Sequence, residues 1–300
     1  MTTDKPALVR RRFLLLHNPV AGLRRRTLAR RVAAELERRG AEIVMLRLWG
    51  AAANAAPGAI AKDVQLDGFD AVIAAGGDGT VRALATALGD RTKIPIGIIP
   101  TGTGNVLANE IAMPKKSAEI ADVLMQGPVV EIAGAMAGSD LFFQMAGAGF
   151  DGEVVAALDL EFKRRFGKLA YVRPIARTLM QRPQPFVAEV DGQPHEATWI
   201  IAANGRNYAG TFVLAPGADL SKPGLHAVIF NARGRARRLV ELVAFAMGQH
   251  ARIAKIIPCE RIVIPAAGIA VEVDGDAVGP SPVTITSAGP RLRLIAPRRP

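Results

Sequence analysis

Five residues, Gly76-Gly77-Asp78-Gly79-Thr80, hold the densest chemical information in this chain. They follow an apolar run, Phe69 to Ala75, with the pattern of a buried strand. They precede Val81, Leu84 and Leu88 at helical spacing, with Gly89 placed as a C-cap. A turn between a strand and a helix N-terminus offers main-chain N–H groups and the positive end of the helix dipole to an anion, which suits a phosphate. The glycines let the backbone come close to a ligand. Asp78 is foreign to a simple phosphate site, because a carboxylate repels phosphate unless a cation lies between them. The stretch therefore points to a nucleotide phosphate with Mg²⁺. A tight turn with a helix-capping Asp is the structural alternative.

The elements that would position this turn read as strands alternating with helices. Phe13 to His17 is a first strand that runs into Asn18-Pro19-Val20-Ala21-Gly22. Leu28, Val32 and Leu36 line a helix stopped by Gly40, and Glu42 to Leu48 is a second strand. The second half of the Ala- and Gly-rich stretch 51–60 reads as helical. Ile94 to Ile99 is a strand that ends in Pro100-Thr101-Gly102-Thr103-Gly104-Asn105. A helix over Lys116 to Met125 closes at Gly127. Such alternation implies a parallel sheet. Three glycine turns would then share the carboxyl edge of the strands, where open α/β sheets bind ligands. Thr80 and Thr103 could bond phosphate oxygens, and Asn105 could reach the ligand or cap the next helix.

Past Gly127 the texture changes. Short strand-like runs recur at Val129–Ala133, Leu141–Ala146, Phe186–Val190, Thr198–Ala203 and Leu225–Phe230. They continue at Ile262–Ile264, Ile269–Val273, Val283–Thr286 and Leu292–Ile295. Turn dipeptides separate them, which predicts a largely antiparallel second domain. Two helical inserts interrupt it, one from Val154 to about Met180 and one over Ala236 to Met247. The boundary is placed near Gly127.

The chain has 300 residues, half of them hydrophobic, and a net charge of +11. That is a globular composition with ample core. The charge comes from 29 arginines against 9 lysines. It fits a solvated arginine-rich surface or attraction to anionic lipid. Nucleic-acid binding is not supported, because aromatics are 5% and do not interleave with the charges. One cysteine, Cys259, excludes an internal disulfide and suits a reducing compartment. No apolar stretch reaches the ~20 residues of a membrane span. The expected location is cytoplasmic, with peripheral contact at the inner membrane surface. The four histidines are scattered and suggest no zinc site. Oligomeric state is not legible.

Taken together, Gly76–Thr80 and Pro100–Asn105 closely resemble the diacylglycerol kinase catalytic family, which includes the sphingosine kinases. NAD kinases and phosphofructokinases are more distant likenesses. Asn18-Pro19 with Gly22 is similar to the family's first loop. Ala148-Gly149-Phe150-Asp151, the basic segment Lys163 to Tyr171, Ala203-Asn204-Gly205 with Tyr208, Ala215-Pro216, and Val273-Asp274-Gly275-Asp276 resemble its later motifs, in family order. The resemblance implies an NAD kinase/phosphofructokinase-like α/β domain over 1–127, with 291–300 returning to it. It implies a β-rich lipid domain over 128–290. It also implies an ATP- and Mg²⁺-dependent kinase acting on a lipid alcohol, first of all diacylglycerol, in a cleft between the two.

The resemblance further implies roles. Nucleotide would be held by Asn18, Pro19, Gly22, Gly76, Gly77, Asp78, Gly79, Thr80, Gly102, Thr103, Gly104 and Asn105. Asp78 would meet the nucleotide–Mg²⁺ unit, and Asp274 would be the general base. Asp276 stands where the family usually has Glu, with a partial metal role open. Asp151 could bind the lipid head group or cap a helix. Lys168, with Lys163, Arg164 and Arg165, could face lipid phosphate or solvent. Two departures stand out. Lys222 and Pro223 replace an Asp of a structural Mg²⁺ site in bacterial members, leaving Asp219 as the candidate substitute. Leu46 to Gly50 lacks a Thr that contacts nucleotide. Asp274 also has a plain alternative, since Val273-Asp274-Gly275 is a good hairpin turn and Val190-Asp191-Gly192 nearly copies it. A sphingoid-base kinase, a soluble NAD kinase and a non-catalytic nucleotide- or lipid-binding regulator are the competing functions.

Overall fold

The computed structural model describes residues 9–17, 23–47, 66–89 and 93–298. Asn18, Pro19 and Gly22, and the helix expected within 51–60, lie outside the described residues. The chain forms two compact units, Met1–Glu131 with Leu292–Pro300, and Ile132–Arg291.

The first unit is an α/β layer structure. Its elements are β1 (Arg12–His17), α1 (Leu23–Arg38), β2 (Glu42–Arg47), β3 (Ala71–Gly76), α2 (Asp78–Leu88) and β4 (Ile96–Pro100). They continue with α3 (Val106–Glu110), α4 (Ser117–Gln126) and β5 (Val129–Ala133), and the last strand of the chain, Arg291–Ile295, joins the sheet. The strand order is β2-β1-β3-β4-last-β5. Pairing is parallel from β2 through β1, β3 and β4 to the last strand. Phe13 to Leu16 and Ala71 to Ala75 are buried throughout. That continuous apolar pattern is what a sheet covered on both faces requires. Helix α1 buries Ala29, Val32, Ala33 and Leu36 at one-face spacing. Arg39 ties it to α4 by pairing with both Glu35 and Asp122. Strand β3 starts two residues later than the apolar run suggested. Asp70 instead turns its carboxylate to the Arg11 and Arg12 N–H groups.

The second unit is a sandwich of two antiparallel sheets. The strands are β6 (Ala135–Ala137), β7 (Asp140–Phe142), β8 (Met145–Gly149), β9 (Phe186–Val190), β10 (Gln193–Ala197) and β11 (Trp199–Ala203). A short pair, β12 (Asn207–Tyr208) and β13 (Phe212–Val213), precedes β14 (Leu225–Phe230) and β15 (Lys255–Cys259). The chain continues with β16 (Arg261–Ile264), β17 (Ala270–Val273), β18 (Asp276–Pro280) and β19 (Val283–Thr286). One sheet runs β10-β9-β16-β19-β6-β7 and the other β15-β14-β11-β8-β17-β18. Ala188, Ile262 and Ile285 of the first pack with Ala148, Ile200 and Val271 of the second. The second sheet is also covered on its outer face. There Trp199, Ile201 and Phe230 pack with Phe150, Val154 and Phe245. Trp199 stacks on Phe230 with centroids 4.3 Å apart. Cys259 is buried, and burial pushes its thiol up to about 11, so it is inert as a nucleophile.

A parallel α/β unit followed by an antiparallel β unit is the fold class that the sequence implies. Two sequence expectations need correction. The single strand expected over Leu141–Ala146 is broken into β7 and β8 at Phe143-Gln144, because the N–H groups there bond a side chain instead of a neighbouring strand. The insert from Val154 to Met180 is four pieces: α5 (Phe150–Ala156), α6 (Leu160–Phe166), a 3-10 turn (Gly167–Tyr171) and α7 (Val172–Met180). Asp159 caps α6 by accepting from Glu161 and Phe162 N–H. Gly167 ends it with a φ of 61°. The second insert is α8 (Arg235–Ala246). No helix among the described residues is long and apolar enough to cross a membrane.

Candidate active site

In the first unit, the order β2-β1-β3-β4 makes the chain leave β1 in one direction and return for β3 on the other side. The strand order reverses there, and the carboxyl edge of an open sheet at such a point is where a ligand crevice forms. The loops after β3 and β4 are fastened to each other. Thr101 N–H donates to Gly76 C=O at 3.0 Å. A Cβ on Gly77 would lie 2.9 Å from Gly102 Cα, and one on Gly102 would overlap Gly77 Cα. A Cβ on Gly76 would collide with the buried Thr80 side chain. Gly77 and Gly102 are thus required by main-chain packing, and Gly76 by the Thr80 side chain, whatever a ligand also demands.

Asp78 sits in the first turn of α2 and reaches across to α3. Its carboxylate accepts Val106 N–H at 3.0 Å and Leu107 N–H at 2.9 Å. It therefore caps a helix 28 residues further on in sequence, satisfying two of that helix's orphan donors. Asn105 neither caps α3 with its side chain nor projects freely. Its amide accepts Gly102 N–H at 2.7 Å and donates to Gly102 C=O at 2.9 Å, closing the loop on itself. Helix α2 starts at Gly77 without a side-chain cap. Thr101, 2% exposed, has a hydroxyl with no hydrogen-bond partner among the described residues.

In the second unit, a polar cluster is buried where β8 meets α5. Asp151 opens α5 and is 5% exposed. It accepts the Tyr208 hydroxyl at 2.6 Å through one oxygen. The other oxygen makes no hydrogen bond of full geometry among the described residues, although the Trp199 indole N–H is near enough to act on the carboxyl. Glu272 on β17, 2% exposed, accepts Gly275 N–H at 2.7 Å. Gly147 on β8 separates the two carboxyl groups. A Cβ there would lie 2.7 Å from an Asp151 oxygen and 2.8 Å from a Glu272 oxygen. Burial pushes Asp151 up to about 6, opposed by the Tyr208 hydroxyl and the Trp199 indole N–H. Burial, reinforced by the Asp151 charge, pushes Glu272 well above the usual carboxylate range. Burial and the Asp151 charge likewise raise the Tyr208 hydroxyl well above its ordinary value. Both shifts have the same sign, so the pair holds protons more tightly than two separate exposed carboxylates would.

Asp274 heads the turn between β17 and β18, with a φ of 49°. Its oxygens accept three main-chain donors: Phe143 N–H at 3.0 Å, Gln144 N–H at 2.9 Å and Met145 N–H at 3.1 Å. This grip is what interrupts the strand at 143–144. Lys163 pins the same turn by donating to Gly275 C=O at 3.1 Å, with its ammonium 5.6 Å from the Tyr171 ring centroid. Asp191 does the same work in the near-copy turn. Its φ is 48°, and its carboxylate accepts Glu260 and Arg261 N–H. The two turns differ in their surroundings. Asp274 lies beside the buried carboxyl pair, whereas Asp191 is exposed.

Other expected positions are less central. Lys168 is exposed and donates to Ala209 C=O at 2.9 Å. Asp276 opens β18 and is partly buried. Asp219 accepts Ser221 N–H at 3.0 Å and lies 3.8 Å from Lys222 Nζ. Sequence reasoning overlooked Glu272 and the pinning by Lys163. The signal for Glu272 was present, as one acid inside the apolar run Ala270-Val271-Glu272-Val273.

The buried pair makes a stability prediction. Asp151 has its folded value raised above 3.8, so the folded state holds the proton more tightly than the unfolded chain. Its contribution favours folding below about pH 4 and is lost as pH rises to about 6, a swing on the order of 3 kcal/mol. Glu272 has the same sign and extends the loss to higher pH. Asp151→Asn is expected to flatten this fall in urea titrations of unfolding between pH 4 and 6.5. A slope equal to wild type would show that Asp151 does not titrate this way.

The geometry agrees with the comparisons to known proteins. The diacylglycerol kinase catalytic domain matches residues 12–137, and the YegS C-terminal NAD kinase beta sandwich-like domain matches residues 144–296. The diacylglycerol kinase of Mycobacterium tuberculosis (strain ATCC 25618 / H37Rv) is 29% identical over 278 residues, 88% of each chain. The probable lipid kinase YegS-like of Klebsiella pneumoniae (strain 342) is 32% identical over 169 residues, 54% of this chain and 56% of its own. A crystal structure of a diacylglycerol kinase from Bacillus anthracis str. Sterne has the same fold. Its TM-score is 0.69 at 20% identity, covering 97% of this chain and 98% of that one. The chain belongs to the diacylglycerol kinase family with a YegS-type C-terminal sandwich, and it is a lipid kinase.

Proposed function

We propose that this enzyme transfers the γ-phosphoryl group of ATP to the hydroxyl of a lipid alcohol, with diacylglycerol as acceptor and phosphatidic acid as product, a step of phospholipid biosynthesis. The observation that carries the reading is the fastened loop pair after β3 and β4, set at the carboxyl edge of a parallel sheet. Phosphoryl transfer is mostly positioning and charge neutralisation, so a loop pair locked before ligand arrives suits it. The uncapped start of α2 would take a nucleotide phosphate oxygen, with Gly79, Thr80, Thr103 and Gly104 beside it. The unpartnered Thr101 hydroxyl is a further donor.

Mg²⁺ when bound would neutralise charge on the phosphates. The donor set fits it. Asp78 supplies a carboxylate held in place by the Val106 and Leu107 N–H groups, an oxygen donor of the kind Mg²⁺ prefers. Contact through a bound water suits that arrangement, because both oxygens already have main-chain partners. Asp276 remains a weaker candidate ligand. Asp274 would accept the hydroxyl proton of the lipid. Three main-chain N–H groups bond its carboxylate, which fixes its orientation beside the buried carboxyl pair. Asp151 would meet the lipid head group through the oxygen that the Tyr208 hydroxyl does not bond, and Lys168 remains a candidate for lipid phosphate.

The buried acid pair of Asp151 and Glu272 favours a second reading, in which the head group carries an amine, as in a sphingoid base. Radiolabelled ATP offered with diacylglycerol, a sphingoid base and NAD tests both. Label on diacylglycerol is expected. Label only on the sphingoid base selects the second reading. Label on NAD, or ATP binding without transfer to any acceptor, would overturn both.

A further inference from the structure

Helices α7 and α8 lie side by side on the outer face of the second sheet. Arg238 of α8 donates to Thr178 C=O of α7 at 3.0 Å. Ile175 and Leu179 of α7 join Leu242 and Phe245 of α8 in one core. Each helix therefore has its apolar requirement met on the inside. A water-soluble surface helix should then be polar on the outside. Neither is. On α8, Ala236, Val240, Val243 and Met247 follow one another at i, i+4, i+7 and i+11 on the solvent side. Val240 is 51% exposed and Met247 66%. On α7, Val172, Ala176 and Met180 recur at i and i+4, with Val172 61% and Met180 74% exposed. Phe162 and Phe166 of α6 add an exposed aromatic pair, centroids 4.3 Å apart.

The polar residues that accompany these stripes are of one sign. Arg173 and Arg177 stand beside the stripe of α7, and Arg235 and Arg237 open α8. The acid of α8, Glu241, is 3% exposed and lies 3.9 Å from Arg237 Nε, so Arg237 is paired and the unopposed charge is that of Arg173, Arg177 and Arg235. No carboxylate pairs with Arg173, Arg177 or Arg235 among the described residues. Two neighbouring helices with apolar stripes outward and unopposed arginines alongside match the pattern of elements that lie in a membrane interface. A protein partner would equally want the apolar stripes. It would not explain three arginines, Arg173, Arg177 and Arg235, with no acid partner among the described residues. An anionic lipid surface answers both features, since each basic side chain near it strengthens partitioning about fivefold.

We propose that the outward face of α7 and α8 docks this enzyme on an anionic bilayer. The proposal rests on the reading of the chain as a kinase of lipid alcohols, whose acceptor dissolves in that bilayer. Docking would hold the enzyme where its substrate is and raise the local concentration of acceptor.

The test is Val240→Asp with Val243→Asp, two exposed positions whose change leaves the core intact. Co-sedimentation would use phosphatidylcholine vesicles with and without 30% phosphatidylglycerol, a composition set on the order of that of an anionic leaflet. Wild type is expected to bind the anionic vesicles at least tenfold more tightly than neutral ones, and the double variant to lose at least tenfold of that binding. Turnover of a water-dispersed short-chain diacylglycerol should be unchanged in the variant, while turnover of long-chain diacylglycerol in vesicles falls. Equal vesicle binding by wild type and variant would overturn the docking face. So would a variant whose only change is loss of self-association by analytical ultracentrifugation, which would make the face a contact between copies. If no lipid is phosphorylated yet the variant still loses vesicle binding, docking stands and the activity reading falls.

Discussion

Asp274→Asn is expected to lower lipid phosphorylation by at least about 10²-fold while ATP binding is kept. Asparagine preserves the shape of the turn. Its carbonyl oxygen can still accept from Gln144 and Met145 N–H, both of which bond one oxygen of Asp274. The amide NH2 would then face Phe143 N–H, which bonds the other oxygen. One main-chain donor is left unpaired, at a cost of about 1–3 kcal/mol. The variant therefore loses both a proton acceptor and part of a latch, and the two must be separated.

The molecule carries its own control. Asp191 holds an equivalent turn by an equivalent grip, yet is exposed and away from the buried pair. Asp191→Asn should cost less stability, since water replaces the lost bond, and should leave turnover within about twofold of wild type, as remote surface changes do. If Asp274→Asn likewise costs only stability, with turnover near wild type, Asp274 is a latch and the proton goes elsewhere. The measurements are initial rates with labelled ATP and urea unfolding of each variant.

The contrast between these turns shows what could be read from sequence. Local residues could not tell Val273-Asp274-Gly275 from Val190-Asp191-Gly192, and the structure explains why: both turns hold the Asp at positive φ and use its carboxylate to accept main-chain N–H groups of another segment. The information that separates them is tertiary. It lies in Glu272, Asp151 and Lys163, which come from three different elements. The strands of the first unit were legible because a parallel sheet buried on both faces writes continuous apolar runs into the sequence. Strand β10, Gln193-Pro194-His195-Glu196-Ala197, was not legible, since an edge strand with few apolar residues carries no such signal. The break at Phe143-Gln144 was invisible for another reason. The residue that causes it lies 130 positions away.

The same distinction applies to the glycines of the candidate nucleotide site, and it yields the second large effect. Gly102→Ala is expected to weaken ATP binding at least tenfold and to destabilise the first unit by about 1–3 kcal/mol. Its methyl would overlap Gly77 Cα, and a backbone atom cannot swing aside as a flexible side chain can. The loops must part. Parting them breaks the Thr101–Gly76 bond and pulls α3 off Asp78. Gly104→Ala is the matched comparison. Its methyl would meet Asp78 and Val106 at 3.4 Å, a tolerable contact, and should leave stability within about 0.5 kcal/mol of wild type. If Gly104 is where the main chain approaches a phosphate, the alanine variant will bind ATP more weakly with its unfolding unchanged. Isothermal titration with ATP and thermal unfolding, run on both variants, give the two readouts. Undiminished ATP affinity in Gly102→Ala would remove the fastened loops from nucleotide binding. Undiminished affinity in Gly104→Ala alone would confine the nucleotide contacts to the start of α2.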